Sequence, residues 1–200
     1  MFWDRIAGVY NLFCSVVNRK ACKGLQEMTA ALVTAEDEVL ECACGTGLLT
    51  GVMAKKCKSL VATDYSAKML EQARKNLGSC GHVTFRQGNI LALDFPDESF
   101  DVVVAANVIH LLDEPYKALH EMERVCRRGG RLIIPTYINQ NARGEKIGMV
   151  RVLEKIGVDF KRAFTLDGYK QFFEKAGCQQ VTYAVSEGLI PCAVAVISKV

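Results

Sequence analysis

No run of lysine or arginine is dense enough to mark a nucleic-acid or anionic-membrane face, and a formal charge of +3 is too small to make one. No Cys-x-x-Cys pair and no cysteine–histidine cluster with zinc spacing occurs, so no metal site is expected. The nine cysteines (14, 22, 42, 44, 57, 80, 126, 178 and 192) are odd in number and scattered, several of them inside apolar runs where a free thiol behaves as a small hydrophobe. That pattern disfavours a disulfide framework and predicts a reduced, cytoplasmic protein. The opening Met1-Phe2-Trp3-Asp4-Arg5 lacks the basic-then-apolar profile of a signal peptide, and no apolar stretch approaches a membrane span. There is also no repeat, low-complexity tract or linker-like stretch. The 200 residues therefore read as one domain, long enough to cover a sheet on both faces.

What is present is alternation. β-rich runs occur at Val39–Ala43, Ser59–Thr63, His82–Gln87, Phe100–Ala106, Arg131–Pro135, Gln180–Ser186 and Ile190–Ser198. Phe100–Ala106 is almost uninterrupted in its apolar character, as a central strand covered on both faces should be. Helical patterns separate the runs. Met69, Leu70, Ala73 and Leu77 form one apolar face stopped by Gly78. Leu119, Met122 and Cys126 form another, entered through Asp113-Glu114-Pro115 and closed by Gly129-Gly130. Leu166, Tyr169, Phe172, Phe173 and Ala176 form a third, closed by Gly177. Before the first strand, Ile6, Val9, Tyr10, Phe13, Val16 and Val17 recur at helical spacing. Strand–helix alternation through five strands predicts a doubly wound, mostly parallel seven-stranded α/β sheet with right-handed crossovers. Only Glu187-Gly188-Leu189 separates the last two strands, so that pair should be an antiparallel hairpin.

In an open α/β sheet, ligands sit outside the carboxyl ends of the strands, where strand order reverses. The residues after each strand are therefore the candidates. After the first strand, Ala43-Cys44-Gly45-Thr46-Gly47 leads to a helix starting near Leu48, whose free N–H groups and close-approaching backbone suit a ligand. Alone, this is also how a ligand-free glycine turn reads. It is not Gly-x-Gly-x-x-Gly, because Thr50 holds the third position, nor a phosphate loop, because Gly-Lys-Ser/Thr is missing. Asp64 ends the second strand, seventeen residues past Gly47, and can accept hydrogen bonds from both hydroxyls of a ribose. It could instead cap the next helix, although Ser66 can fill that role. Tyr65 and Met69 would then flank an adenine, with core packing the competing role for Met69. After the third strand, Asn89 offers an acceptor for the adenine amino group and the Ile90 N–H a donor to a ring nitrogen. After the fourth come Asn107 and His110, His110 being either structural or catalytic.

With these motifs in order, the sequence resembles the class I S-adenosylmethionine-dependent methyltransferases, most closely the small-molecule branch related to the ubiquinone/menaquinone-biosynthesis C-methyltransferases. The resemblance rests on Val39-Leu-Glu-Cys-Ala-Cys-Gly-Thr-Gly47, Ala62-Thr-Asp-Tyr-Ser-Ala-Lys-Met-Leu70 and Gln87-Gly-Asn-Ile90. It continues through Asp94-Phe-Pro-Asp-Glu-Ser-Phe-Asp101, Ala118-Leu-His-Glu-Met-Glu-Arg-Val125 and Gly129-Gly-Arg-Leu132. It spans roughly residues 36 to 135 and extends faintly to Ala7-Gly-Val-Tyr-Asn11. By resemblance, the cofactor is S-adenosylmethionine, Glu41 takes its amino group, the backbone of Ala43 to Gly47 (Cys44 and Gly45 included) lines its methionine portion, and Asn107 lies near the same end. Two positions depart from the family: Ala43 stands where glycine is usual, and Asn89 where aspartate is usual.

The expected layout is an N-terminal helical cap over 1–35, a cofactor-binding core over 36–135, a substrate-side insertion over 136–165 and a C-terminal helix and hairpin over 166–200. Tyr10, His110 and Tyr137 are the candidates for acid/base or positioning roles, each weighed against a structural one. No Asn-Pro-Pro-Tyr-like motif follows the fourth strand, which speaks against methylation of adenine or glutamine amino groups. Few residues remain for a macromolecule-binding module, so the expected partner is a small-molecule acceptor, with no nucleic acid and no membrane. Two other readings are a regulator that binds S-adenosylmethionine without transferring it, and a nicotinamide-dependent reductase.

Overall fold

The computed structural model describes residues 13–155 and 157–200. Candidate Tyr10 and the helical pattern at Ile6 and Val9 lie outside the described residues. Val16 and Val17, in the π-helical turn Phe13–Val17, are exposed.

Seven strands form one sheet in the order β3-β2-β1-β4-β5-β7-β6. They are β1 (Glu38–Cys42), β2 (Ser59–Asp64), β3 (Val83–Gln87), β4 (Phe100–Ala105), β5 (Cys126–Tyr137), β6 (Val181–Ser186) and β7 (Cys192–Ser198). β1 pairs in parallel with β2 and β4, Leu40 facing Val61 on one side and Val103 on the other. β3 and β5 extend the parallel sheet outward. β7 lies antiparallel to both β5 and β6, so it alone is reversed within the sheet. The chain runs outward from β1 to β3, then returns to place β4 on β1's other side. The reversal of strand order therefore falls between β1 and β4, as the alternation pattern requires.

Strand side chains alternate between two cores. Val103 and Ala105 point into the cluster with Met122, Phe172 and Phe173, and Val102 and Val104 into the one with Leu25, Leu49 and Ile133. The helices on these faces are α1 (Arg19–Ala31), the single turn α2 (Thr50–Met53), α3 (Ala67–Leu77), α4 (Pro115–Val125), α5 (Gly148–Lys155) and α6 (Leu166–Lys175). Ser66 caps α3, its hydroxyl accepting from the Met69 N–H at 3.1 Å, and Gly78 stops it at φ +71°. Among the described residues, no helix is long and apolar enough to cross a membrane.

Two local expectations need correction. The helix through Leu119 and Met122 ends at Val125, not at the glycine pair, and Cys126 already begins β5. Gly129-Gly130 belongs to an irregular stretch of that strand, where pairing with β4 shifts between Phe100 and Val102. A Cβ on Gly130 would come within 2.7 Å of the Asp101 carbonyl oxygen, so glycine serves close strand approach there. The helix after the glycine loop, expected to start near Leu48, is a single turn over Thr50–Met53, its first helical bond running from the Gly51 N–H to the Gly47 carbonyl.

Candidate active site

A cavity of about 520 Å³ opens where β1 and β4 end. Ten of the eleven residues proposed for cofactor contact line it: Glu41, Ala43, Cys44, Gly45, Asp64, Tyr65, Met69, Asn89, Ile90 and Asn107. His110 and Tyr137 line it as well. Gly47 does not. Its α-carbon faces α3, where a Cβ would meet that of Ala73 at 3.3 Å, and it borders a separate cavity beside α1.

The loop after β1 is held to the end of β2. The Cys44 N–H donates to the Thr63 carbonyl at 2.9 Å, and the Gly45 N–H to Asp64 Oδ2 at 2.8 Å. Asp64 Oδ1 accepts from the Ser66 N–H at 2.8 Å, so one carboxylate organises both turns that border the cavity. Gly45 and Gly47 take positive φ, as glycine permits. Ala43 also does, at +53°, a conformation that costs an alanine about 1–2 kcal/mol. The departure from glycine at this position therefore strains the backbone as well as adding a methyl group.

Glu41 is buried, and Thr50 Oγ1 donates to its Oε2 at 2.5 Å. Burial, with the Asp64 charge adding to it against the Thr50 bond, pushes its carboxyl up to about 8. No cation among the described residues compensates it. Thr50, which looked from sequence only like a missing glycine, is the residue that holds this carboxyl. Asn89 spends its Oδ1 on its own turn, accepting from the Leu91 N–H at 3.0 Å.

The other end of the cavity is apolar, formed by Leu111, Leu112, Leu153, Val158 and Phe160. His110 is buried there, its ring stacked on Phe160 with centroids 5.4 Å apart and lying 6.1 Å from Tyr137. Burial alone drives its imidazole down to about 3, so it is neutral. Its Nδ1 is buried with no hydrogen-bond partner among the described residues. The Tyr137 hydroxyl interacts with the Cys22 thiol. Leu153, Val158 and Phe160 come from the connection between β5 and α6, which is fastened to the turn after β4. The Arg162 N–H donates to the His110 carbonyl at 3.1 Å, and its guanidinium to the carbonyls of Leu112 and Asp113. Asn139 ties the two ends of the segment, accepting from the Phe164 N–H and donating to the Arg162 carbonyl. The expected insertion brings Leu153, Val158 and Phe160 to the cavity, and no sequence signal singled these three out.

Residues 40–134 match the family model described as "Methyltransferase domain". The chain is 34% identical to a phosphatidylethanolamine N-methyltransferase of Cereibacter sphaeroides, over 76% of this chain and 73% of that protein. The chain belongs to the class I S-adenosylmethionine-dependent methyltransferases. It is also 33% identical to a demethylmenaquinone methyltransferase of Clavibacter sepedonicus, over 66% of this chain but only 55% of that protein. Among solved structures, a Thermotoga maritima S-adenosylmethionine-dependent methyltransferase, described as a possible histamine N-methyltransferase, superposes with a TM-score of 0.77. That match covers 100% of this chain and 98% of the other at 23% identity, which speaks to the fold.

S-adenosylmethionine is thus the methyltransferase's cofactor, and the cavity can be tested against it. A buried carboxyl without a cationic partner suits an ammonium group, and a carboxylate at the end of β2 suits a diol. Tyr65, exposed, and Met69, buried, both line the cavity and offer apolar surface suited to a flat base. The residues fit the group.

Proposed function

We propose that this methyltransferase acts on a small-molecule acceptor in the cytoplasm. The observation that carries the reading is one cavity with a carboxylate-bearing end matched to the cofactor and an apolar end to which the connection between β5 and α6 contributes Leu153, Val158 and Phe160. Relatives named for phosphatidylethanolamine and demethylmenaquinone support a small-molecule acceptor. Nine cysteines with no disulfide among the described residues support a reducing compartment.

In this reading Glu41 holds the cofactor's amino group, with Thr50 fixing the carboxyl. Asp64 accepts from the ribose hydroxyls with its remaining lone pairs. Tyr65 and Met69 flank the adenine, and the Ile90 N–H meets a ring nitrogen. Asn89 keeps an amide for the adenine edge while its oxygen stays in its own turn, a weaker contact than an aspartate would give. The backbone of Ala43, Cys44 and Gly45 lines the methionine portion, with Asn107 opposite and Gly47 setting the turn from behind. Tyr10 remains a candidate positioning residue from the N-terminal segment.

When bound, S-adenosylmethionine supplies a methyl group on an excellent leaving group, so the protein need supply little activation. What the chain contributes is proximity, alignment and exclusion of water. The apolar wall and the segment fastened by Arg162 provide the last of these. His110 and Tyr137 face the acceptor, where a neutral imidazole can orient a donor and take up its proton. Incubating the protein with methyl-labelled S-adenosylmethionine and a metabolite library tests the reading: label should pass to a low-molecular-weight product. Tight cofactor binding with no transfer to any acceptor would instead support a non-catalytic sensor.

A further inference from the structure

We infer that the acceptor is an uncharged aromatic alcohol of about one ring, lying against Leu111, Leu112, Leu153, Val158 and Phe160 with its hydroxyl donating to the imidazole of His110. This rests on the methyl-transfer reading above. Three observations carry it.

The first is the distribution of charge. Among the described residues, Glu41 and Asp64 are the only acidic side chains lining the cavity, both on the side of the β1 and β2 ends, and no lysine or arginine among them lines it. An amine is an ammonium ion at neutral pH and needs a carboxylate; a carboxylate or phosphate needs a cation. The acceptor end provides neither, and an unpaired charge there would carry a heavy desolvation cost. The nearest guanidinium, that of Arg162, is bonded to the carbonyls of Leu112 and Asp113.

The second is the imidazole itself. His110 is held by its stack on Phe160, and its side chain makes no hydrogen bond among the described residues. With Nδ1 sealed in the wall, Nε2 is the nitrogen left to meet a ligand. A neutral ring carrying its hydrogen on Nδ1 presents a lone pair there, which selects a donor. The neighbouring hydroxyl, that of Tyr137, lies beside the Cys22 thiol.

The third is chemical. The acceptor oxygen forms a bond to the methyl carbon as the carbon–sulfur bond breaks, and the electron pair of that bond stays on sulfur. The hydroxyl proton passes to Nε2. The positive charge lost from the sulfonium reappears on the imidazolium, so no net charge is created in an apolar chamber before water removes the proton. The proton leaves as the oxygen–methyl bond forms, and a phenol releases it more readily than an aliphatic alcohol, so it asks less of an imidazole that burial keeps weakly basic. The flat walls of His110, Phe160 and Tyr137 suit a ring.

The test uses the protein saturated with S-adenosylhomocysteine, titrated with para-cresol, benzylamine and benzoate by calorimetry and by the imidazole nitrogen resonances. Para-cresol should bind, shift the His110 signal and exceed both charged analogues in affinity by about tenfold or more. His110→Phe should weaken para-cresol by about tenfold while leaving S-adenosylhomocysteine within about threefold of its original affinity, and His110→Gln, which keeps an acceptor, should recover part of the loss. With methyl-labelled S-adenosylmethionine, the product should be the methyl ether. Stronger binding of benzylamine or benzoate, or no para-cresol binding with S-adenosylhomocysteine bound, overturns the acceptor assignment alone. Para-cresol binding equally well to the Phe variant overturns it too. Failure of S-adenosylhomocysteine to bind would remove the methyl-transfer reading with it.

Discussion

The two ends of the cavity handle buried polarity in opposite ways. At the cofactor end each buried or half-buried polar group is bonded into the loops: Glu41 to Thr50, Asp64 to the N–H groups of Gly45 and Ser66, Asn89 to Leu91. At the other end the wall is apolar, and the His110 ring beside Tyr137 has no hydrogen-bond partner among the described residues. The first end has its loops fixed by their own hydrogen bonds, as the proposed cofactor site would require. The second leaves a single polar group unsatisfied, which is how a site selects one donor rather than many.

The largest effect expected from this contrast is on stability as pH changes. The folded protein keeps a proton on Glu41 up to about 8, whereas an unfolded glutamate releases it near its ordinary value of 4.5. Between those values the unfolded chain binds fewer protons, so Glu41 makes stability fall as pH rises, by roughly 1.4 kcal/mol per unit. Below the window and above it, this contribution is flat. Chemical denaturation of Glu41→Gln across the same range should lack that slope; an identical slope would place the proton elsewhere.

Next in size is cofactor affinity. Glu41→Gln leaves the loop intact but cannot ionise against an arriving ammonium as the carboxyl can, and should weaken S-adenosylhomocysteine by about 2–3 kcal/mol. Asp64→Ala should cost about 2 kcal/mol or more, since it loses the ribose acceptor and frees two loop N–H groups. Asp64→Asn, which keeps one acceptor oxygen, should fall between. Unchanged binding in either Asp64 variant would mean the ribose lies elsewhere.

A smaller effect tests the other end. His110→Phe removes a buried nitrogen with no partner and should raise the melting temperature of the ligand-free protein by the equivalent of about 1 kcal/mol. A fall of similar size would show that the imidazole is structural. The smallest effect concerns Ala43. Glycine there relieves the positive φ but adds freedom to the unfolded chain, so Ala43→Gly should gain about 0.5–1 kcal/mol on balance. Loss of stability would mean that the methyl group packs usefully.

The sheet and the position of the cavity were legible because parallel strands buried on both faces read as apolar runs and their carboxyl ends set where a ligand can lie. Asp64 could be placed at the cavity because it ends a strand on the ligand side of the sheet, whereas its bonds to the Gly45 and Ser66 N–H groups could not be read from sequence. Gly129-Gly130 misled because a glycine pair after an amphipathic run looks like a helix stop, and nothing local reveals that Asp101 presses against the backbone. Thr50 was seen only as a broken glycine pattern; its bond to Glu41 spans nine residues and a turn. The positive φ of Ala43 could not be read, because alanine gives no sign of it. Leu153, Val158 and Phe160 reach the cavity through the course of a long connection, which side-chain type does not encode.

The two bonds that Asp64 accepts from Gly45 and Ser66 have a kinetic consequence. The glycine loop holds its shape before any ligand arrives, so binding does not have to order it. Encounter should then set the association rate for the cofactor, with differences in affinity among variants that keep Asp64 appearing in how long the complex lasts. Where Asp64 is removed, the loop must be arranged during each encounter, and association itself should slow.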